Sequence, residues 1–109
     1  MTAIRPFSAL AAFLLTAVSL TAQWQPYLAN TSGVQAVRSI TTQGGAIYLA
    51  SFPLGVYKST NDGASWATVN SGLPVASGNI NIESVGSNAT HLFAGTHSGV
   101  YRSSNGGTT

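Results

Sequence analysis

The chain has 109 residues, 6% of them charged, a formal net charge of +2 and no cysteine. So few cations cannot make the clustered footprint that nucleic acid requires, and the sequence pI near 9.4 reflects scarce acids rather than a basic patch. Without cysteine there is neither a disulfide framework nor the lipid-anchored form of a bacterial export signal.

From the N-terminus, one positive charge at Arg5 precedes an apolar run over residues 7–21, and Ala22 offers a small residue at a cleavage point. This three-part pattern reads as a secretory signal peptide over residues 1–22. The run is shorter than the roughly 20 residues a membrane span needs, so a cleaved leader is expected rather than an anchor. A secreted chain without cysteine fits bacterial export, and the expected location is outside the cell or on its surface. The mature chain, 23–109, opens with a short apolar strand at 24–28.

Four further strands are expected at 35–41, 46–51, 55–59 and 65–70, rich in Val, Ile, Tyr and Thr and punctuated by Gly, Asn, Pro and Ser. Helical periodicity is absent after the leader. Gln43-Gly44-Gly45 and Gly86-Ser87-Asn88 are predicted hairpin turns, as are Phe52-Pro53-Leu54 and Thr96-His97-Ser98. The pattern then returns. Gly55-Val56-Tyr57-Lys58 recurs as Gly99-Val100-Tyr101-Arg102, 44 positions on, while Val37 to Ile40 match Ile82 to Val85 at an offset of 45. The expectation is one residue gained or lost in the turn between the first and second strands, with Ala46 to Ser51 falling on Thr90 to Gly95. Units of about 40–45 residues with four strands have the size of a propeller blade.

Each third strand runs into a distinctive corner. In the first copy it is Ser59, Asn61, Asp62, Gly63, Ser65 and Trp66; in the second, Ser103, Asn105, Gly107 and Thr109. Asn61 and Asp62 are expected to accept backbone hydrogen bonds two residues on, Gly63 to take a left-handed backbone, and Trp66 to bury its ring beside the turn. The corner is a structural device before it is a ligand site.

This spacing resembles the Asp-box, or BNR repeat, S-x-D-x-G-x-(S or T)-W. Asn61 and Asn105 stand where the family has Asp, which keeps the acceptor oxygen and loses the charge. The resemblance implies an all-β fold of antiparallel propeller blades, one whole over 35–70 and one partial over 79–109, with the box joining third and fourth strands. Propellers close with about four to eight blades, so further blades or self-association are expected, and the sequence reads as a fragment of a longer protein.

Sialidases carry this box, and their sites need an arginine cluster, a nucleophilic tyrosine and carboxylates. The mature chain has only Arg38 and Arg102, with Asp62 and Glu83 as its acids. Arg38 and Glu83 lie near the starts of first strands and could face a central channel. No catalytic residues, cofactor or metal site are expected. His91 and His97 are a pair without supporting ligands, and Lys58 and Arg102 read as solvent-facing strand residues. Tyr48, Tyr57, Phe93 and Tyr101 could line a sugar-binding face, but such positions more often pack between sheets. The expected function is a non-catalytic secreted module that binds glycan or protein or serves as scaffold. The alternative is the N-terminal part of a sialidase-like glycoside hydrolase with its catalytic residues in other blades.

Overall fold

The computed structural model describes Gln23, Trp24, Val34 and residues 36–109. The predicted leader, most of the predicted strand at 24–28 and the start of the next at Gln35 lie outside the described residues; Trp24 itself is fully exposed. Seven strands follow: β1 Ala36–Gln43, β2 Ala46–Phe52, β3 Gly55–Ser59, β4 Ala67–Thr68, β5 Ile82–Ser87, β6 Leu92–Thr96 and β7 Gly99–Ser103. They form two antiparallel meanders, β1-β2-β3-β4 and β5-β6-β7, with no helix among the described residues. The all-β expectation therefore holds.

Chemistry explains the strand placement. β2 is an inner strand of its sheet and its run Tyr48, Leu49, Ala50 and Ser51 is buried. Successive side chains point to opposite faces, so burial of consecutive residues means that both faces of β2 are covered. The buried Ser51 hydroxyl would be costly unpaired; it donates to the Gly55 carbonyl at 2.7 Å. Gly44 and Gly45, both at positive φ, make the two-residue β1–β2 turn.

Three expectations are corrected. The strand predicted at 65–70 is only Ala67–Thr68, because Ser65 is held in the preceding corner by Asn61. Beyond it, Val69 N–H still reaches the Val56 carbonyl at 2.9 Å. Asn70 then replaces a backbone rung with its side chain, accepting from Val56 N–H at 2.7 Å and donating to the Leu54 carbonyl at 2.8 Å. Second, Gly86 and Ser87 belong to β5. The turn lies at 88–91, where Asn88 Oδ1 accepts from Thr90 and His91 N–H at 2.9 and 2.7 Å, and His91 precedes β6 rather than lying in a strand.

Third, the single-residue change lies in the β2–β3 turn. Ile47 stands opposite Ser59 and Leu92 opposite Ser103. β2 therefore maps onto β6 at an offset of 45, and only β3 onto β7 at 44. The turn enclosed by Ser51 and Gly55 holds three residues; the one enclosed by Thr96 and Gly99 holds two. Thr96 repeats the role of Ser51, its hydroxyl donating to the Gly99 carbonyl at 2.9 Å.

The two sheets pack face to face. Ala46, Tyr48, Ala50 and Val56 of the first form one core with Ile82, Val85, Leu92 and Ala94 of the second. Polar side chains stitch β1 to β5, the edge strands between which no backbone ladder runs. Ser39 Oγ donates to the Val85 carbonyl and accepts from its N–H, both at 3.2 Å. Thr41 Oγ1 lies 2.9 Å from Ser87 Oγ, and Gln43 Nε2 donates to the Asn88 carbonyl at 3.1 Å.

Candidate functional site

The corner after β3 is a closed hydrogen-bond knot. Ser59 Oγ accepts from Asn61 N–H at 3.3 Å and from Gly63 N–H at 2.8 Å, and donates to Asn61 Oδ1 at 3.0 Å. Asn61 Oδ1 also accepts from Ser65 N–H at 2.9 Å, while its Nδ2 donates to Ser65 Oγ at 2.8 Å. The corner after β7 has the same bonds. Ser103 Oγ takes Asn105 and Gly107 N–H at 3.3 and 2.9 Å and donates to Asn105 Oδ1 at 2.8 Å. Asn105 in turn binds Thr109 N–H and Thr109 Oγ1, each at 3.0 Å.

The backbone repeats as well. Asp62 at φ 58 and Gly63 at φ 88 match Gly106 at φ 68 and Gly107 at φ 89. The left-handed pair stands at the same two places in each corner, with the Gly63 and Gly107 N–H groups on the serine oxygens. Glycine takes that conformation without a Cβ clash, and Asp62 is of the few side-chain types that tolerate it. The expected acceptor role of Asp62 is not found: its exposed carboxylate takes no hydrogen bond among the described residues, and the N–H groups are capped by Ser59 and Asn61 instead. Trp66 is half-buried, and its Nε1 is shielded from solvent with no hydrogen-bond partner among the described residues.

The second corner does more than close on itself. Its Gly106 carbonyl accepts from Tyr48 Oη at 2.9 Å and from Lys58 Nζ at 3.2 Å, both on the first sheet. The ammonium also sits 5.6 Å from the Tyr48 ring centre. A Cβ on Gly107 would lie 3.1 Å from Val69 Cγ2, so the corner backbone rests directly on the first sheet. Lys58 is thus a clamp between sheets rather than the solvent-facing residue expected. Arg102, its counterpart on β7, is exposed.

Arg38 and Glu83 mark a second cluster. Each is the extra residue of a β-bulge, between Val37 and Ser39 on β1 and between Ile82 and Ser84 on β5. Bulges re-aim a side chain, and here both turn toward one another, Arg38 Nη1 to Glu83 Oε2 at 2.6 Å. His97 Nε2 lies 3.0 Å from the other carboxylate oxygen, and Arg38 lies 5.2 Å from the Phe52 ring centre. The pair is partly exposed, so it contributes little stability. It does engage the guanidinium that would otherwise greet an anionic ligand.

An apolar cleft between the sheets is lined by Val56, Val69, Leu73, Val85, Leu92 and Tyr101 and holds about 70 Å³. Small-molecule sites usually offer roughly 300–1,000 Å³, so this is a seam of packing rather than a substrate pocket. A wider, open depression of mixed lining lies at the β1–β2 hairpin, beside Gln43, Gly44, Ile47, Asp62 and Asn88. Of the aromatic residues proposed for a sugar face, Tyr48 and Tyr57 are buried; Phe93 and Tyr101 are half-buried. No group of three or more His, Asp and Glu that could hold a metal occurs among the described residues.

The sequence reading missed Ser39, Tyr48 and Asn70 as connectors. The recurring serine of β1 and β5, Ser39 and Ser84, was the available signal for the first; nothing in the sequence marked the other two. No protein-family model matches the chain, and no curated protein matches it.

Proposed function

We propose that the chain is an Asp-box segment of a secreted β-propeller, its two sheets being neighbouring blades, and that it is a non-catalytic module for binding glycan or protein. The observation that carries this reading is the corner built twice. The same serine, asparagine and left-handed pair make the same hydrogen bonds 44 residues apart. A corner so fully occupied in bonding itself is scaffold, which leaves recognition to the uncharged polar surface around it.

The catalytic alternative is weaker on the same geometry. Arg38, the arginine best placed for a substrate carboxylate, is engaged by Glu83, and Asp62 stands on an exposed turn with no carboxylate opposite it among the described residues. Expression of the full chain in a bacterium, with N-terminal sequencing of the exported product and a glycan array, tests the proposal. A product starting at Gln23 or Trp24 and binding a defined glycan class or a protein ligand is expected. Retention of residues 1–22 in the cytoplasm refutes the export reading. Turnover of a fluorogenic sialoside refutes the non-catalytic one.

A further inference from the structure

An aspartate or asparagine followed by glycine is where a polypeptide can attack itself, because the next backbone nitrogen carries no neighbouring Cβ to crowd its approach to the side-chain carbon. The chain has this setting twice, at Asp62-Gly63 and Asn105-Gly106. The two lie one residue apart in equivalent corners, since Asn105 stands in the place of Asn61 and Gly106 in that of Asp62.

Their bonding is opposite. At Asp62 the side chain makes no hydrogen bond among the described residues, but the attacking nitrogen is tied. Gly63 is buried and its N–H donates to the buried Ser59 Oγ at 2.8 Å. At Asn105 the nitrogen is untied, for Gly106 N–H makes no hydrogen bond among the described residues. Here the side chain is held instead. Its Oδ1 accepts from Ser103 Oγ at 2.8 Å and Thr109 N–H at 3.0 Å, and its Nδ2 donates to Thr109 Oγ1 at 3.0 Å. Asn105 and Thr109 are both exposed, so water takes over these bonds as they break. Freeing Gly63 N–H would orphan a buried donor, which is far costlier. A neutral amide is also a better electrophile than a carboxylate. Asn61 is held as Asn105 is, but the residue after it is Asp62, whose Cβ crowds the nitrogen.

We propose that Asn105-Gly106 is a deamidation site, and that its reaction waits on release of the Asn105 side chain from the corner. Hydroxide removes the Gly106 amide proton, and the nitrogen bonds to Asn105 Cγ. The Cγ–Nδ2 bond breaks, and the amide nitrogen leaves as ammonia after taking a proton from water. Water then opens the cyclic imide at Cγ, giving aspartate, or at the main-chain carbonyl carbon, giving isoaspartate. In total one water is consumed and one ammonia released. The products differ in what they do to the seam between the sheets. Aspartate keeps an oxygen for Ser103 Oγ and Thr109 N–H, so the corner recloses with a charge in it. Isoaspartate adds a methylene to the main chain before Gly106. That pulls Gly107 N–H from Ser103 Oγ and the Gly106 carbonyl from Tyr48 and Lys58.

Ageing the full chain in mildly alkaline buffer, folded and in urea, with tryptic peptide mapping, tests this. Trypsin cuts after Arg102 and isolates the corner as residues 103–109. Mass reports conversion, and chromatography separates aspartyl from isoaspartyl peptides. In the folded chain Asn105 is expected to convert at least about tenfold faster than Asn61, with Asp62 not isomerised. It is expected to convert at least about tenfold more slowly than in urea, a barrier higher by about 1.4 kcal/mol or more. Thr109→Ala removes the Nδ2 partner at an exposed position, so the variant folds and should convert at Asn105 several-fold faster. The isoaspartyl chain should melt earlier than the aspartyl one. Reaction at Asn61 or Asp62 that matches Asn105 overturns the site. Equal rates folded and in urea, or an unchanged rate in Thr109→Ala, overturn control by the corner. An isoaspartyl chain as stable as the aspartyl one overturns the effect on the seam. None of these outcomes bears on the propeller reading, which needs no reaction at Asn105.

Discussion

Ser59 sets the clearest energetic test. Its Oγ is buried and caps Gly63 N–H at 2.8 Å and Asn61 N–H at 3.3 Å. In Ser59→Ala the buried Gly63 N–H loses its partner, and an orphaned buried donor costs about 1–3 kcal/mol. The longer Asn61 bond sits at an exposed residue where water replaces it, so it adds little. Asn61 Oδ1 keeps Ser65 N–H and the corner stays partly closed. For a domain of this size the loss lowers Tm by roughly 4–8 °C per kcal/mol. Ser103→Ala is the internal control. It removes the same bonds from a half-buried hydroxyl and leaves the buried Gly107 N–H without its partner, so its cost should not exceed that of Ser59→Ala, where the hydroxyl is buried as well. Urea unfolding followed by tryptophan fluorescence measures both, because Trp66 adjoins the first corner while fully exposed Trp24 reports little change. A Ser59→Ala loss below about 0.5 kcal/mol, the scale of ordinary surface changes, or a larger loss at Ser103, would refute the view that the first corner is held by a buried cap.

Other outcomes follow from the seam and the edge. Tyr48→Phe deletes the hydroxyl bonded to the Gly106 carbonyl and should cost about 1 kcal/mol; Lys58 remains on that carbonyl, so combining it with Lys58→Met should cost more than either change alone in a double-mutant cycle. Gly55→Ala should be far more damaging. Its φ of +91° suits glycine, and the added Cβ would stand 2.3 Å from Asn70 Oδ1, breaking the side-chain rung to Val56 and Leu54; a loss above about 3 kcal/mol is expected in the same unfolding assay. Glu83→Gln should change stability by less than about 1 kcal/mol, because the ion pair is partly exposed, and added salt should shrink even that difference.

Much of the strand plan was legible because β-branched and aromatic residues alternate with glycine-rich turns, and those signals are local. What escaped depends on partners distant in sequence. The bonds from Tyr48 and Lys58 to Gly106 span 58 and 48 residues, and no local pattern marks a phenol or an ammonium for a carbonyl in another sheet. The offset was misplaced for a related reason. Aligning Ala50 on Ala94 matches identity, but the register aligns Ala50 with Gly95 and Ser51 with Thr96. The hydroxyl that closes each β2–β3 turn was the better guide, since it names a bond rather than a residue type. The short fourth strand was unreadable because Asn70 continues the pairing with a side chain, and an asparagine in a polar stretch looks like an ordinary turn residue.

The asparagine in the corner carries one consequence that its acceptor oxygen alone does not. A carboxylate at position 61 could accept from Ser59 Oγ and Ser65 N–H just as Asn61 Oδ1 does. It could not donate, and Asn61 Nδ2 donates to Ser65 Oγ, as Asn105 Nδ2 donates to Thr109 Oγ1. With aspartate the direction of that bond must reverse, so the Ser65 or Thr109 hydroxyl proton turns inward. With asparagine the hydroxyl is an acceptor there and its own proton points elsewhere, available to water or a neighbour. Asparagine therefore holds the same corner without adding a charge to it. That suits a chain whose sheets meet through carbonyls, hydroxyls and amides, with a single bulge-to-bulge ion pair between them among the described residues.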